Sequence, residues 1–321
     1  MFESFFPKPK LFLFTLIVWV AFVIAIYYLI GRNIAELIGF NFSPDDAETV
    51  IGLGYFITPE FLWFDLYYIL STLIFYIFWS RYSPHKWQIW SILGSSLLIL
   101  MAYMTVQVSV VINAWYGPFY NDVQTALGGN GEISASDLYG HILVFCVIVF
   151  PYIIFVPFKF FFTSHYIFRW RNAMNDFYTS KWEKVRGIEG ASQRVQEDTM
   201  RFSAIMQGLG VSMIDSVMTL ISFLPVLLAL SVHVQDVPIL GSIPFPLVSL
   251  AIFWSIFGTF VLIFAGIKLP GLEFKNQRVE AAFRKELVLG EDTSTKADPP
   301  TLVELFSNVR RNYFRIYFHY A

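Results

Sequence analysis

The chain has 321 residues, of which 56% are hydrophobic, 19% aromatic and 14% charged, with a mean hydropathy of +0.57. A water-soluble domain carries about 25% charge, so lipid is expected to be the main solvent here. The net charge of −2 gives no footing for nucleic acid, and the single cysteine, Cys146, excludes a disulfide framework or a thiol metal cluster.

A membrane span takes about 20 largely apolar residues. After the amino-terminal MFESFFPKPK, Leu11–Gly31 is the first predicted span, too long and without the small-residue cleavage site of a signal peptide. Phe61–Ser80 follows despite Asp65, then Ile89–Ile112 despite Gln107. Ile142–Phe162 carries Pro151 and Pro157, where kinks are expected. Gln207–Val232 holds Asp215 and Pro225, and Pro246–Ile267 is interrupted only by Gly258 and Gly266. Tyr313–Ala321 begins a further apolar run too short to cross, so the chain reads as stopping inside a seventh span. All of this is expected to form one transmembrane domain, 1–321, with polar segments at 163–206 and 268–312.

The basic, aromatic-rich stretch Phe160–Phe202 sets the orientation. It holds Arg169, Arg171, Lys181, Lys184, Arg186, Arg194 and Arg201, and so belongs inside by the positive-inside rule. Of the 22 lysines and arginines, 20 then fall in inner segments, Arg32 falls outside, and Lys159 sits at the inner edge of its span. The amino terminus is expected inside.

The outer segments 32–60 and 113–140 are rich in glycine, asparagine and acids, with turn signals at Ser43-Pro44, Gly117-Pro118 and Gly128-Gly129-Asn130-Gly131. Trp115, Tyr116, Phe119 and Tyr120 fit an interfacial aromatic belt or the lining of an outward cavity. Further on, Leu272, Val279, Phe283 and Leu287 share a helical face, and Glu280 precedes Arg284 by four residues, as on an exposed helix. Glu291–Pro300 reads as a polar linker, with a new helix over Thr301–Arg310.

Enzyme chemistry has no visible seat. There is no G-x-x-x-x-G-K-[ST] to cradle ATP phosphates and no G-x-S-x-G, and the five histidines have no metal-ligand spacing. No cofactor is expected. What remains is acid at membrane depth. Asp65 and Asp215 lie within predicted spans, where a carboxylate is costly unless paired or protonated. Each is either a proton-coupling group or a hydrogen-bonded structural residue. Glu197, Glu280 and Glu291 lie in inner segments, where solvated carboxylates are ordinary.

Several blocks then carry a resemblance. MF-x-SFFPKP, YSPHKWQ-x-WSILG (Tyr82–Gly94), NAWYGPFY (Asn113–Tyr120), SHYIFRWRNAMN (Ser164–Asn175), IEGASQRVQEDTMRF (Ile188–Phe202) and GIKLPGLEFKNQRVEAAFRKELV (Gly266–Val288) resemble the SbmA/BacA family along the whole chain. The resemblance implies an all-α polytopic protein like the membrane domain of an ABC exporter, without a nucleotide-binding domain. It implies a homodimer in the bacterial inner membrane that imports peptides by alternating access, driven by protons rather than ATP. Its implied substrates are microcins, proline-rich antimicrobial peptides and bleomycin-like compounds. Proton coupling falls by motif on Glu280 and Glu291, while Gln107 and Gln207 stand where the family has glutamates; Asp215, two turns beyond Gln207, is the candidate substitute. Phe223 matches a cavity aromatic, and Gln107, Gln207, Trp115 and Tyr116 join it as cavity candidates. Two other readings stay open. One is an ABC half-transporter membrane domain moving fatty acyl substrates, and the other is a scaffold in envelope lipid synthesis.

Overall fold

A computed structural model describes residues 1–43, 50–129, 133–187, 191–234, 241–293 and 296–320. Pro44, Asn130, Gly131, the Ile188–Gly190 start of the IEGASQ block, and Ser294 and Thr295 of the polar linker lie outside the described residues. The structure is helical, with no β-strand among the described residues, and it divides into two compact units, Met1–Pro225 and Val226–Ala321.

Among the described residues, six helices are long and apolar enough to cross a membrane: Pro9–Ile38, Pro59–Tyr82, Ile89–Leu127, Ala135–Thr179, Val195–Ser231 and Pro246–Glu291. The first is α1 (Pro9–Ile26) joined by a π-helical turn, Tyr27–Gly31, to α2 (Arg32–Ile38). Thus the outer segment predicted from residue 32 starts as helix. Next, α3 (Pro59–Tyr82) is capped by Thr58, whose hydroxyl accepts from the Phe61 N–H. A second π-helical turn, Ile89–Gly94, leads into α4 (Ser95–Leu127).

The expected turn at Gly117-Pro118 is not one, because α4 continues through Pro118 to Leu127. Proline removes one backbone hydrogen bond, and side-chain packing on both sides outweighs that loss. Trp115 stacks on Phe119 at 4.6 Å and Tyr116 on Tyr120 at 5.7 Å, both one turn apart. Trp115 also donates from Nε1 to the His141 carbonyl of α5 (Ala135–Thr179) at 2.9 Å.

The helix α5 has 45 residues. At 1.5 Å per residue it runs about 67 Å, roughly twice the ~30 Å apolar core of a bilayer. A large part of it therefore projects beyond the membrane, carrying Arg169 and Arg171. Pro151 and Pro157, where kinks were expected, both lie inside this one helix. The stretch after it folds into short helices: α6 (Trp182–Val185), α7 (Ala191–Gln193), a π-helical turn at Arg194–Asp198, and α8 (Thr199–Ile205). A further π-helical turn, Met206–Gly210, opens into α9 (Val211–Ser231).

The first unit is held in two ways. Within the apolar span, hydroxyls and indoles bond across helices, because no water is present to satisfy them. Tyr67 donates to the Val23 carbonyl at 2.7 Å and Trp19 to the Ser71 carbonyl at 3.2 Å, joining α1 to α3. Tyr68 and Thr72 meet Ser96 on α4, and Ser95 meets the Tyr166 hydroxyl on α5 at 2.6 Å. Beyond the span, a conventional apolar core forms. Phe5 is fully buried and stacks on Trp170 at 5.1 Å, with Phe6 and Phe202 also against that indole. The amino-terminal MFESFF thus folds onto the basic segment of α5. At the turn before α4, burial pushes the His85 imidazole below its ordinary pKa, and its Nδ1 accepts from the Trp87 N–H.

In the second unit α10 (Pro246–Gly266) leads to α11 (Leu269–Asp292), which packs on α12 (Pro299–Tyr320). Phe283 meets Phe306 at 5.7 Å, and Asn312 donates to the Leu272 carbonyl. Of the predicted face, Leu272, Val279 and Phe283 are half-buried, whereas Leu287 is exposed and Glu286 takes its place, accepting from the Ala297 N–H. Glu280 forms no ion pair with Arg284 among the described residues. The helix expected over Thr301–Arg310 and the run from Tyr313 are one continuous helix, α12.

Candidate functional site

One face of the helix Val195–Ser231 carries Gln207, Asp215 and Ser222 at intervals of eight and seven residues. Seven residues are close to two α-helical turns, but eight would leave Gln207 about 80° off the face. The π-helical turn Met206–Gly210 absorbs the extra residue and brings Gln207 into line. Over the 15 residues from Gln207 to Ser222, the rise is about 22 Å, so the polar face covers most of the ~30 Å bilayer core.

Each member of that face is bonded to α4 or α5. At one end of the face Ser222 accepts from Gln107 Nε2 at 3.2 Å, and Gln107 Oε1 accepts from the Tyr55 hydroxyl at 2.8 Å. At the middle level Lys159 Nζ bonds Asp215 Oδ1 at 2.8 Å and Thr105 Oγ1 at 3.3 Å. At the other end Gln207 Nε2 donates to Ser164 Oγ at 2.9 Å.

At the middle level the Lys159 side chain is only 12% exposed, against 38% for Asp215, and the two neutralise each other. Sequence spacing could not find this pair, because 56 residues separate its members. The remaining signal was a lone cation and a lone acid in two neighbouring spans.

Gln107 is buried, and its two bonds tie the 3-10 turn Leu53–Ile57 and α9 to α4. Gln107→Leu is therefore expected to leave the Tyr55 hydroxyl and Ser222 unpaired and to cost about 1–2 kcal/mol. The midpoint of detergent-induced unfolding in mixed micelles measures it.

The other candidates are spread out. Trp115 is 7% exposed, wedged between Phe119 and Phe145, and packs α4 on α5. Tyr116 is exposed, and Phe223 is half-buried on α9. Asp65, on α3, has its Oδ1 buried with no hydrogen-bond partner among the described residues. Glu197 is tied to Arg201 at 2.6 Å. Glu280 and Glu291 are exposed on α11 in the second unit. Eleven residues apart, they lie three turns and about 16 Å from each other on one face. No group of three or more His, Cys, Asp or Glu among the described residues could hold a metal.

Comparison with known proteins agrees with the architecture. The chain is 25% identical over 225 residues to an uncharacterised ABC transporter ATP-binding protein of Haemophilus influenzae, covering 67% of this chain and 36% of that protein. It is 23% identical over 264 residues to another uncharacterised ABC transporter ATP-binding protein, from Synechocystis, covering 79% of this chain and 37% of that one. It therefore spans little more than a third of the length of these curated relatives. The fold is that of an all-α, multi-pass membrane protein of the ABC-transporter membrane-domain kind. A model of the SbmA/BacA-like family matches residues 84–321, more than half of the chain, and the chain belongs to that family of membrane transporters.

Proposed function

We propose that this transporter imports peptides across the bacterial inner membrane, as a homodimer, by alternating access driven by the proton gradient. Family membership supports the substrate class. The observation that carries the mechanism is the polar face of α9, a bonded track through the bilayer with a Lys159–Asp215 ion pair in the middle. Such a pair responds to a single proton, because protonating Asp215 leaves Lys159 without its counter-charge. Glu280 and Glu291, exposed on one face of α11, are the proposed acids at the inner side. The packing of Phe5 on Trp170 supports placing the amino terminus on the same side as the basic segment, which the charge distribution assigns to the inside.

The driving force is adequate. One proton crossing ~100 mV releases about 2.3 kcal/mol, and one pH unit adds about 1.4 kcal/mol. Together they sustain roughly a few hundredfold accumulation per proton. The test is the full-length protein in proteoliposomes under an inward proton gradient, with internal pH followed as a proline-rich peptide is added. Peptide-dependent acidification is expected, and Glu280→Gln is expected to lower it at least tenfold.

A second reading is favoured by the relatives, both of which are named ATP-binding proteins. In that reading the chain is the membrane portion of an ATP-fed transporter of fatty acyl substrates. Uptake that survives an uncoupler but requires ATP would select it. No uptake under either condition would leave the scaffold role in envelope lipid synthesis.

A further inference from the structure

We infer that the pocket between the inner end of α5 and α8 binds the phosphate headgroup of an anionic phospholipid. The pocket has a volume of about 240 Å³; α5 contributes Ser164, Phe168 and Arg171 to it, and the facing helix contributes Met200, Ala204 and Gln207. Among the described residues, no carboxylate lines it. The Arg171 guanidinium makes no ion pair or hydrogen bond among the described residues, so its five donors are uncommitted. Ser164 Oγ accepts from Gln207, which leaves the serine hydrogen available to a ligand. The nearby charges do not cancel Arg171. Glu197 is held by Arg201, and Arg169 is turned away onto His165 and the Trp90 ring. A site with one guanidinium, spare neutral donors and no acid selects an oxyanion, and arginine's planar fork matches phosphate.

The apolar part of the lining selects among phosphates. Phe168 is 55% and Met200 43% exposed beside the cation. Phe161, two helical turns further toward the span, is 66% exposed. A free phosphate gains nothing from this ridge, whereas an acyl chain covers it while its headgroup meets Arg171. Arg171 lies nine residues past Phe162, the end of the apolar run, about 13 Å along the helix, and the exposed Phe168 lies between them. Basic pockets between helices on the cytoplasmic side are suited to anionic lipid. The inference rests on the proposed inside placement of this segment, but not on proton coupling or on peptide import.

The experiment is native mass spectrometry of the delipidated full-length protein titrated with phosphatidylglycerol, phosphatidylcholine or inorganic phosphate. Phosphatidylglycerol is expected to bind about tenfold or more tightly than phosphatidylcholine, the value of one or two charge-assisted hydrogen bonds. Arg171→Gln is expected to abolish that preference. Ala204→Phe, which fills the pocket and keeps the charge, is expected to do the same and decides the matter if Arg171→Gln misfolds. Lys184→Gln removes an equal charge from an exposed site outside the pocket and is expected to change nothing. The inference is overturned if Lys184→Gln weakens binding as much as Arg171→Gln, which is diffuse attraction. It is also overturned if the pocket variants bind like the parent, or if inorganic phosphate displaces the lipid at comparable concentration. A loss of peptide transport with lipid binding intact would count against the import reading alone.

Discussion

Asp215→Asn is expected to destabilise the protein by about 2–3 kcal/mol, less than the 3–5 kcal/mol of a fully buried pair because the aspartate keeps some exposure. The physical cause is not the lost attraction alone. Lys159, only 12% exposed, is left as a charge in apolar surroundings with only the Thr105 hydroxyl beside it. Lys159→Met is expected to cost a similar amount for the mirror-image reason. The double variant Lys159→Met/Asp215→Leu removes both charges together, and most of the loss is expected to return, since replacing a buried pair by apolar groups is often neutral. Detergent-induced unfolding in mixed micelles measures all three. The double variant also separates packing from coupling. If Asp215 carries the transported proton, this variant is stable but does not acidify the vesicle with peptide. If it acidifies normally, the pair is structural and proton coupling belongs to Glu280, Glu291 or Asp65.

Trp170→Ala is expected to cost about 3–5 kcal/mol, the upper range for truncating a buried aromatic. Trp170 is 4% exposed, and Phe2, Phe5, Phe6 and Phe202 all meet its ring within 5.6 Å. The location makes the effect large. This cluster sits where α5 has left the bilayer, so the hydrophobic effect of water acts on it in full. Between helices inside the bilayer, lipid is as apolar as the side chains, and burial contributes little beyond packing. Trp170→Phe is expected to recover more than half of the loss. Thermal unfolding in detergent, together with protection of Phe5 and Phe6 from proteolysis at the amino terminus, would read both effects. An alanine variant with unchanged stability and an uncleaved amino terminus would contradict the packing described for the MFESFF segment.

Much of the architecture was legible without coordinates because lipid imposes one simple demand. A backbone in hydrocarbon must satisfy its own hydrogen bonds, so an apolar run of about 20 residues is a helix. The runs beginning near Leu11, Phe61, Ile89, Ile142, Gln207 and Pro246 all fall within long apolar helices. The quoted blocks were likewise sufficient to suggest the family.

Local rules failed where tertiary packing overrode them. Gly117-Pro118 reads as a turn, yet the aromatic stacks of Trp115 and Tyr116 and the bond from Trp115 to His141 keep it helical. Trp115 looks like a belt or cavity residue, and only the approach of α5 shows it to be buried. Leu287 fits a periodic face, but the loop beyond α11 delivers the Ala297 N–H to Glu286 and turns that face by a residue.

The sequence by itself determined that this chain lives in lipid, where its helices run and to which family it belongs, since these follow from composition, periodicity and collinear motifs. Only the tertiary structure decided the site. Gln207, Asp215 and Ser222 share a face because a π-helical turn absorbs one residue, and Lys159 reaches Asp215 across 56 positions of chain. No periodicity records such a pairing, because it depends on which helices become neighbours when buried polar groups must find partners within the membrane.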